Sequence, residues 1–295
     1  MSAPASAIGD RVPLHCGIVL HPASHTRSPA MHRAAYAALG LNADYAVFDV
    51  APADLAAAMK TFRAKGLRQL AVSIPHKESV LALVDEVDPV ARAIGAANTI
   101  TRNGDRLIAT NTDWLGALHA LARETPVEGK RAVVLGAGGT ARALVYGLRD
   151  RGAEVHVLNR TRARAEALVR ELGARSAGAL EDLEALDAEI LVNTTSVGLN
   201  EDRSPVPATA LRAELVVLDV VYAPERTRLL EDARACGART IGGKWMLVYQ
   251  AVEQLRTWTA QLAAPPTQTA LDAVVAVMAE AFDAAGRAAE VPDRS

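Results

Sequence analysis

Short apolar runs alternate along the chain with longer segments whose apolar residues recur at helical spacing, the pattern of an α/β protein. CGIVLHP reads as a strand, and SPAMHRAAYAALG as a helix with Ser28 as N-cap, Pro29 in the first turn and Gly40 past its end. ADYAVFDV predicts a second strand, ADLAAAMKTFRAKG contains a helix, and LRQLAVSI is a third strand closing near Ile74, because Pro75 cannot donate to a sheet ladder. HKESVLALVDEV follows with a helical pattern. NTITRNGDRLIATNTD predicts a hairpin whose turn residues, Asn103 and Gly104, can take positive φ.

A second α/β unit starts after the helix that begins near Trp114. VEGKRAVVLGAGGTARAL, AEVHVLNRT, AEILVNTTSVG and ELVVLDVVY each place an apolar strand before polar or glycine turn residues, which predicts a parallel sheet. KWMLVYQAVEQLRTWTA and TALDAVVAVMAEAFDAAG are helical, split by AAPPTQ, and are expected to pack back on the first unit. The expected division is residues 1–113 with 247–288 as one domain and 114–246 as the other, with 289–295 a disordered tail and the first residues a short mobile one.

With 295 residues, 50% of them hydrophobic and 22% charged, the chain has material for two cores. The formal charge of -2 provides no field for gathering nucleic acid or an anionic membrane, which leaves a small molecule as the expected partner. Cys16 and Cys236 form neither a metal knuckle nor a disulfide framework, and a reducing cytoplasm suits them. No apolar segment is long enough to span a membrane, and no targeting pattern marks the N-terminus.

In RAVVLGAGGTARAL a strand runs into Gly136, Gly138 and Ala141, spaced G-x-G-x-x-A, and a helix follows. This is a dinucleotide fingerprint. Gly136 permits the turn, Gly138 lets the backbone approach a pyrophosphate, and Ala141 allows close packing of helix on strand. Ala137, Gly139 and Thr140 complete the phosphate loop at the positive end of that helix. About twenty residues on, where an NAD site would place an acid, stand Asn159, Arg160, Thr161, Arg162 and Arg164. A guanidinium offers a planar fork to a 2′-phosphate that a carboxylate would repel, so NADP is the expected cofactor, with Arg162 open to a purely solvated role.

Lys77 follows the third strand at the expected start of a helix, where the macrodipole disfavours a cation, and Asp113 stands where it could cap DWLGALHAL. Alone, each has an ordinary structural reading. Together with SHTRSP, SIPHK, GAANT, NTD, GAGGTAR, NRT and MLVYQA in this order, they make the chain resemble the shikimate dehydrogenase family over nearly its whole length. The resemblance implies an α/β substrate-binding domain with a mainly parallel sheet beside a Rossmann domain, and NADPH-linked reduction of 3-dehydroshikimate to shikimate. It implies that Lys77 and Asp113 are the catalytic pair, and that Thr26 and Ser28 grip the substrate carboxylate. By the same resemblance Ser73, Asn98, Tyr222 and Gln250 contact substrate, while Thr194, Thr195, Ser196, Val220 and Gly243 line the cofactor. No metal is needed, and a homodimer is an assembly to test.

Two departures bear on the substrate. Many members of the family read N-V-T where this chain has Ala71, Val72 and Ser73, so one amide contact is missing or replaced, and Trp114 stands where glycine is commoner. A quinate or related polyol-acid dehydrogenase is therefore the nearest rival, and a non-catalytic NADP-binding regulator the rival from another class. His21, His25 and His32 lack the acid or thiol that would complete a metal site, and His76 is read as a residue free to face solvent. Trp245 and Trp258 read as helix packing, and EDLEALDAE as a solvated acidic face.

Overall fold

The computed structural model describes residues 14–23 and 26–290, with side chains to 288; the expected N-terminal tail, His25, and residues 291–295 of the expected C-terminal tail lie outside the described residues. Two six-stranded sheets carry the fold. The first has the order β2 (Ala43–Asp49), β1 (Leu14–Leu20), β3 (Gln69–Val72), β5 (Thr99–Asn103), β6 (Arg106–Thr110), β4 (Glu86–Val87). Parallel pairing on both sides of β1 and between β4 and β6 combines with antiparallel pairing of β5 to its two neighbours. The second is wholly parallel: β12 (Arg239–Ile241), β11 (Val216–Asp219), β10 (Ile190–Asn193), β7 (Arg131–Leu135), β8 (Glu154–Leu158), β9 (Ser176–Gly178). That order is the doubly wound dinucleotide-binding arrangement, with its switch point between β10 and β7.

Strand periodicity explains the layering. Ile18, Leu20 and Ala71 enter a core with α1 (Ser28–Ala38), α8 (Gly243–Thr259) and α9 (Gln268–Glu290), whereas Val19, Leu70 and Val72 enter the opposite core with α2 (Leu55–Ala64). In the second sheet Ala132 and Val134 face α5 (Gly139–Asp150) and α6 (Arg162–Leu172), while Val133 and Leu135 face α7 (Arg228–Ala235). Both faces of each sheet are covered at its centre, which is why the central strands β3, β10 and β11 are buried along their length, and β7 from Ala132 on, while the edge strand β2 alternates. The expected fold class is the one observed.

Several local expectations are corrected. HKESVLALVDEV forms a short 3₁₀ segment, Ser79–Leu83, and then β4, so no long helix dipole acts on Lys77. Ser28 is the first helical residue of α1 rather than its cap, and Arg27 holds the cap position with no side-chain bond. Asp113 likewise begins α4 (Asp113–Leu121) beyond the cap residue Thr112. The β5–β6 turn is Gly104-Asp105, with positive φ at Gly104 (+58°) and not at Asn103. His76 is buried, 1% exposed, with Nε2 2.8 Å from the Val50 carbonyl oxygen. The last helix runs to Glu290, two residues into the tail expected from 289, and α8 continues unbroken across residues 246 and 247.

Candidate active site

A cleft opens between the carboxyl end of β3, the N-terminal turn of α5 and the first two turns of α8. Lys77 and Asp113 meet inside it. Lys77 Nζ donates to Asp113 Oδ2 at 2.5 Å and to Thr140 Oγ1 at 3.1 Å, so one ammonium touches both lobes. The pair is largely withdrawn from water, with side-chain exposures of 13% and 5%. Such an ion pair stays in place only when the remaining acceptor sites are also used, and here they are. Asn98 Nδ2 donates to Asp113 Oδ1 at 2.8 Å, and the Asp113 backbone N–H is taken by Asn111 Oδ1 at 2.9 Å. Because Asp113 is not a helix cap, both its carboxylate oxygens are free for this work.

Asn98 is the centre of the polar floor. Its Nδ2 also reaches Thr112 Oγ1 (2.9 Å) and Gln250 Oε1 (3.1 Å), while its Oδ1 accepts from Thr112 N–H (2.8 Å) and Thr99 Oγ1 (2.8 Å). Thr112 Oγ1 donates onward to the Gln250 carbonyl oxygen at 2.9 Å. Gln250 gets this close because α4 and α8 touch at Gly116, where a Cβ would lie 2.7 Å from that of Gln250. Ser28, Ser73 and Tyr222 line the same cleft; Thr26 does not, and instead its Oγ1 faces the Ser28 N–H at 3.3 Å. Burial pushes the Tyr222 hydroxyl up in pKa, with Arg27 and Thr26 acting in the opposite direction.

Sequence reasoning missed Thr112, Asn111 and Gln254. Gln254 lines the cleft from α8, is 2% exposed, and donates from Nε2 to the Asn98 carbonyl oxygen at 3.0 Å, the same oxygen that accepts from Val72 N–H. Its Oε1 has no hydrogen-bond partner. Ala71 also lines the cleft and faces the α8 layer, so the amide of Gln254 stands on the wall where Ala71 contributes only a methyl group. Behind Gln254, burial lowers the His32 imidazole to about 3, with the Gln254 amide opposing, and the neutral ring stacks on Tyr45 at 4.3 Å. A glutamine one helical turn beyond the glutamine of MLVYQA was the available signal.

The nucleotide fingerprint lies on the β7–α5 turn. Gly136 takes φ +111°, outside the range of other residues, and a Cβ there would sit 2.6 Å from Thr194 Oγ1. Gly138 is the extended N-cap of α5, and a Cβ on it would meet nothing within 4 Å, which leaves open space over the first-turn N–H groups. Gly139 has a different duty: its Cβ would lie 2.9 Å from that of Lys77. Ala141 is buried on the inner face of α5, and Ala137 packs on the same core.

Thr194 Oγ1 bonds the Leu135 carbonyl oxygen (2.6 Å), Thr195 Oγ1 bonds Asn193 Oδ1 (2.7 Å), and Ser196 is exposed. Gly243 abuts Val220, whose carbonyl oxygen would be 2.5 Å from an added Cβ. After β8, Asn159 Nδ2 bonds the Thr161 carbonyl oxygen at 2.9 Å, shaping the turn that carries the arginines. Arg162 is engaged with Glu166 at 3.1 Å, whereas the exposed Arg160 and Arg164 have no acidic partner among the described residues. These residues fit a dinucleotide with a 2′-phosphate. Trp114, by contrast, packs on Tyr146 at 5.6 Å and on Gly147, outside the cleft.

His21 bonds Asp49 at 2.7 Å near the surface, and no group of three or more metal-ligating residues occurs among the described residues. No described helix is long and apolar enough to cross a membrane.

Comparison with known proteins agrees with this geometry. The family model "Shikimate dehydrogenase substrate binding domain" matches residues 18–100, and "Shikimate / quinate 5-dehydrogenase" matches residues 119–202. The shikimate dehydrogenase (NADP(+)) of Haloarcula marismortui is 46% identical over 248 residues, 83% of this chain and 93% of the relative. That of Thermococcus kodakarensis is 45% identical over 82% of this chain and 90% of its own length. The crystal structure of Thermus thermophilus shikimate 5-dehydrogenase with NADP(H) and shikimate superposes with a TM-score of 0.83 at 39% identity, covering 92% of this chain and 99% of that one. The ligand-free 5-ketofructose reductase of a Gluconobacter species superposes with 0.79 at 33% identity, covering 93% and 99%. By its sequence, its sheet order and its cleft, this chain belongs to the shikimate dehydrogenase family.

Proposed function

We propose that the protein is an NADP-dependent shikimate dehydrogenase, reversibly reducing 3-dehydroshikimate to shikimate, the step that leads toward chorismate and the aromatic amino acids. The observation that carries this reading is the 2.5 Å contact of Lys77 with Asp113 in a cleft faced by the fingerprint helix. Bound NADPH supplies the hydride to the carbonyl carbon. The carbonyl oxygen must then receive a proton. Lys77 donates to Asp113 and Asn98 holds the carboxylate in line, so the pair acts as one proton-handling unit with Thr140 steadying the ammonium.

Ser28, Ser73, Tyr222 and Gln250 surround the space left for the ring, with Thr26 on the adjoining loop. Gln254 replaces the amide that Ala71 lacks, by offering its second Nε2 hydrogen to a ring hydroxyl while its buried Oε1 stays on the His32 side. Asn98 has both Nδ2 hydrogens committed within the protein, so it serves the substrate chiefly through Asp113 and Thr112. The cofactor is held by Gly136 to Ala141 at its pyrophosphate, by Arg160 and Arg164 at its 2′-phosphate, and by Thr194 to Ser196, Val220 and Gly243 along the cleft. Residues 1–113 with 247–288 form the substrate-binding domain and 114–246 the cofactor domain. The reading includes a cytoplasmic location, where Cys16 and Cys236 stay free thiols, and sedimentation would read out a homodimer.

The test is NADP reduction with shikimate, quinate or no second substrate, and NADPH oxidation with 5-ketofructose. Shikimate should give the highest kcat/KM; preference for quinate or 5-ketofructose would reassign the substrate, and no turnover with any would favour a binding role.

A further inference from the structure

Arg27 sits between the two hydroxyl residues of the substrate loop and points away from the cleft toward a slot of its own. Its guanidinium lies over the Phe282 ring, 4.2 Å from the centroid, and fills the space left by Gly286, where a Cβ would come within 2.8 Å of it. Phe282 and Gly286 belong to α9, in the same lobe. The third wall is not in that lobe. Arg27 NH1 donates to Glu225 Oε1 at 2.5 Å, and Glu225 stands on the loop between β11 and α7 of the parallel sheet, three residues after Tyr222. The Arg27 side chain is 12% exposed and the Glu225 side chain 45%, so the guanidinium is held in its slot while the carboxylate reaches it from the solvent side. Tyr222 itself packs edge-on against Phe282 at 5.9 Å, which brings both loops onto one aromatic ring.

We propose that the Arg27–Glu225 pair is an interlobe latch that fixes the substrate loop against the cofactor lobe. Arg27 and Glu225 are thus positioning residues, acting through Ser28 on one side and Tyr222 on the other; this rests on the substrate-loop assignment made above. A planar guanidinium clamped between a ring face and a carboxylate has one orientation available, and Ser28, the next residue, inherits it. Losing the carboxylate frees the loop and lets the lobes part, without touching either reacting group.

Two measurements test this. Spin labels placed by Lys60→Cys and Arg170→Cys, on exposed positions of α2 and α6 in a Cys236→Ser background, report the distance between lobes. The parent should give one short distance and Glu225→Gln a second, longer population. In kinetics, Glu225→Gln should raise KM for shikimate about tenfold with KM for NADP unchanged, the expected size for losing one charge-assisted hydrogen bond. Arg27→Met should do the same, and the double variant no more than either alone. Unchanged distances, additive effects, or a lowered Tm with unaltered KM would each overturn the latch. Should the parent ignore shikimate while the distances respond, the substrate assignment fails and the latch stands.

Discussion

At the scale of single residues, the Lys77–Asp113 pair is held because the polar groups next to it are partnered. Lys77 and Asp113 are ordinary residue types, and what distinguishes them is that Asn98, Asn111 and Thr140 leave them one arrangement. Gln254 stands apart, buried on the Ala71 wall of the cleft with one Nε2 hydrogen uncommitted. Replacing it by a similar apolar volume, Gln254→Met, should raise KM for shikimate about tenfold and leave KM for NADP alone; steady-state kinetics with each substrate varied checks this. Equal losses in both would reduce Gln254 to a packing role. Little of this was legible beforehand. The lysine and the aspartate could be named through their motifs, but His76 was misread as solvent-facing because nothing local reveals that Val50, on a distant segment, takes its ring. Thr112 was overlooked because its partners, Asn98 and Gln250, come from different elements.

Elements turn these residues toward one another. The β7–α5 turn delivers the fingerprint glycines and the first turn of α5 delivers Thr140, while α8 delivers Gln250 and Gln254 one turn apart on one face. The turn after β8 leaves Arg160 and Arg164 without acidic partners. Reversing both, Arg160→Glu with Arg164→Glu, should raise KM for NADP about a hundredfold and barely change that for NAD, since two guanidinium contacts to a 2′-phosphate are lost. Parallel initial-rate measurements with the two nucleotides decide it.

The turns after β10 and β11 share a buried anchor. Asp219 accepts from Asn193 Nδ2 (2.9 Å), Val221 N–H (3.1 Å) and Thr227 Oγ1 (2.6 Å), yet burial pushes its carboxyl up to about 6, with Thr227 the leading opposing influence. A folded pKa above the unfolded value means that the native state binds the proton more readily. Its contribution to stability is therefore greatest below about pH 4 and declines, on the order of 3 kcal/mol in all, as pH rises to about 6. Denaturant unfolding of the parent and of Asp219→Asn across that range should show the gap changing in that direction. The strong strands and the fingerprint were readable because their apolar runs and glycines are local signals. The segment after Lys77 was not, since Ser79–Leu83 has helical spacing but too few residues before β4 takes the chain into the sheet.

For the whole molecule, the two sheets bring the loop before Ser28 and the fingerprint turn before Thr140 to opposite walls of one cleft, at the carboxyl ends of their parallel strands. Sequence pattern predicted this division, since a parallel sheet with both faces covered needs an unmistakable run of apolar strands. What pattern could not predict is how the lobes meet, because Lys77 with Thr140, Arg142 with the Ile94 carbonyl oxygen and Arg27 with Glu225 are contacts between residues far apart in the chain.

The account depends most on the ammonium and carboxylate acting together on the substrate's oxygen. Turnover of shikimate by Lys77→Met, measured at saturating NADP alongside NADP affinity by calorimetry, tests it most directly. A fall in kcat of about a thousandfold or more with NADP affinity retained is the predicted result, and turnover near that of the parent would contradict it.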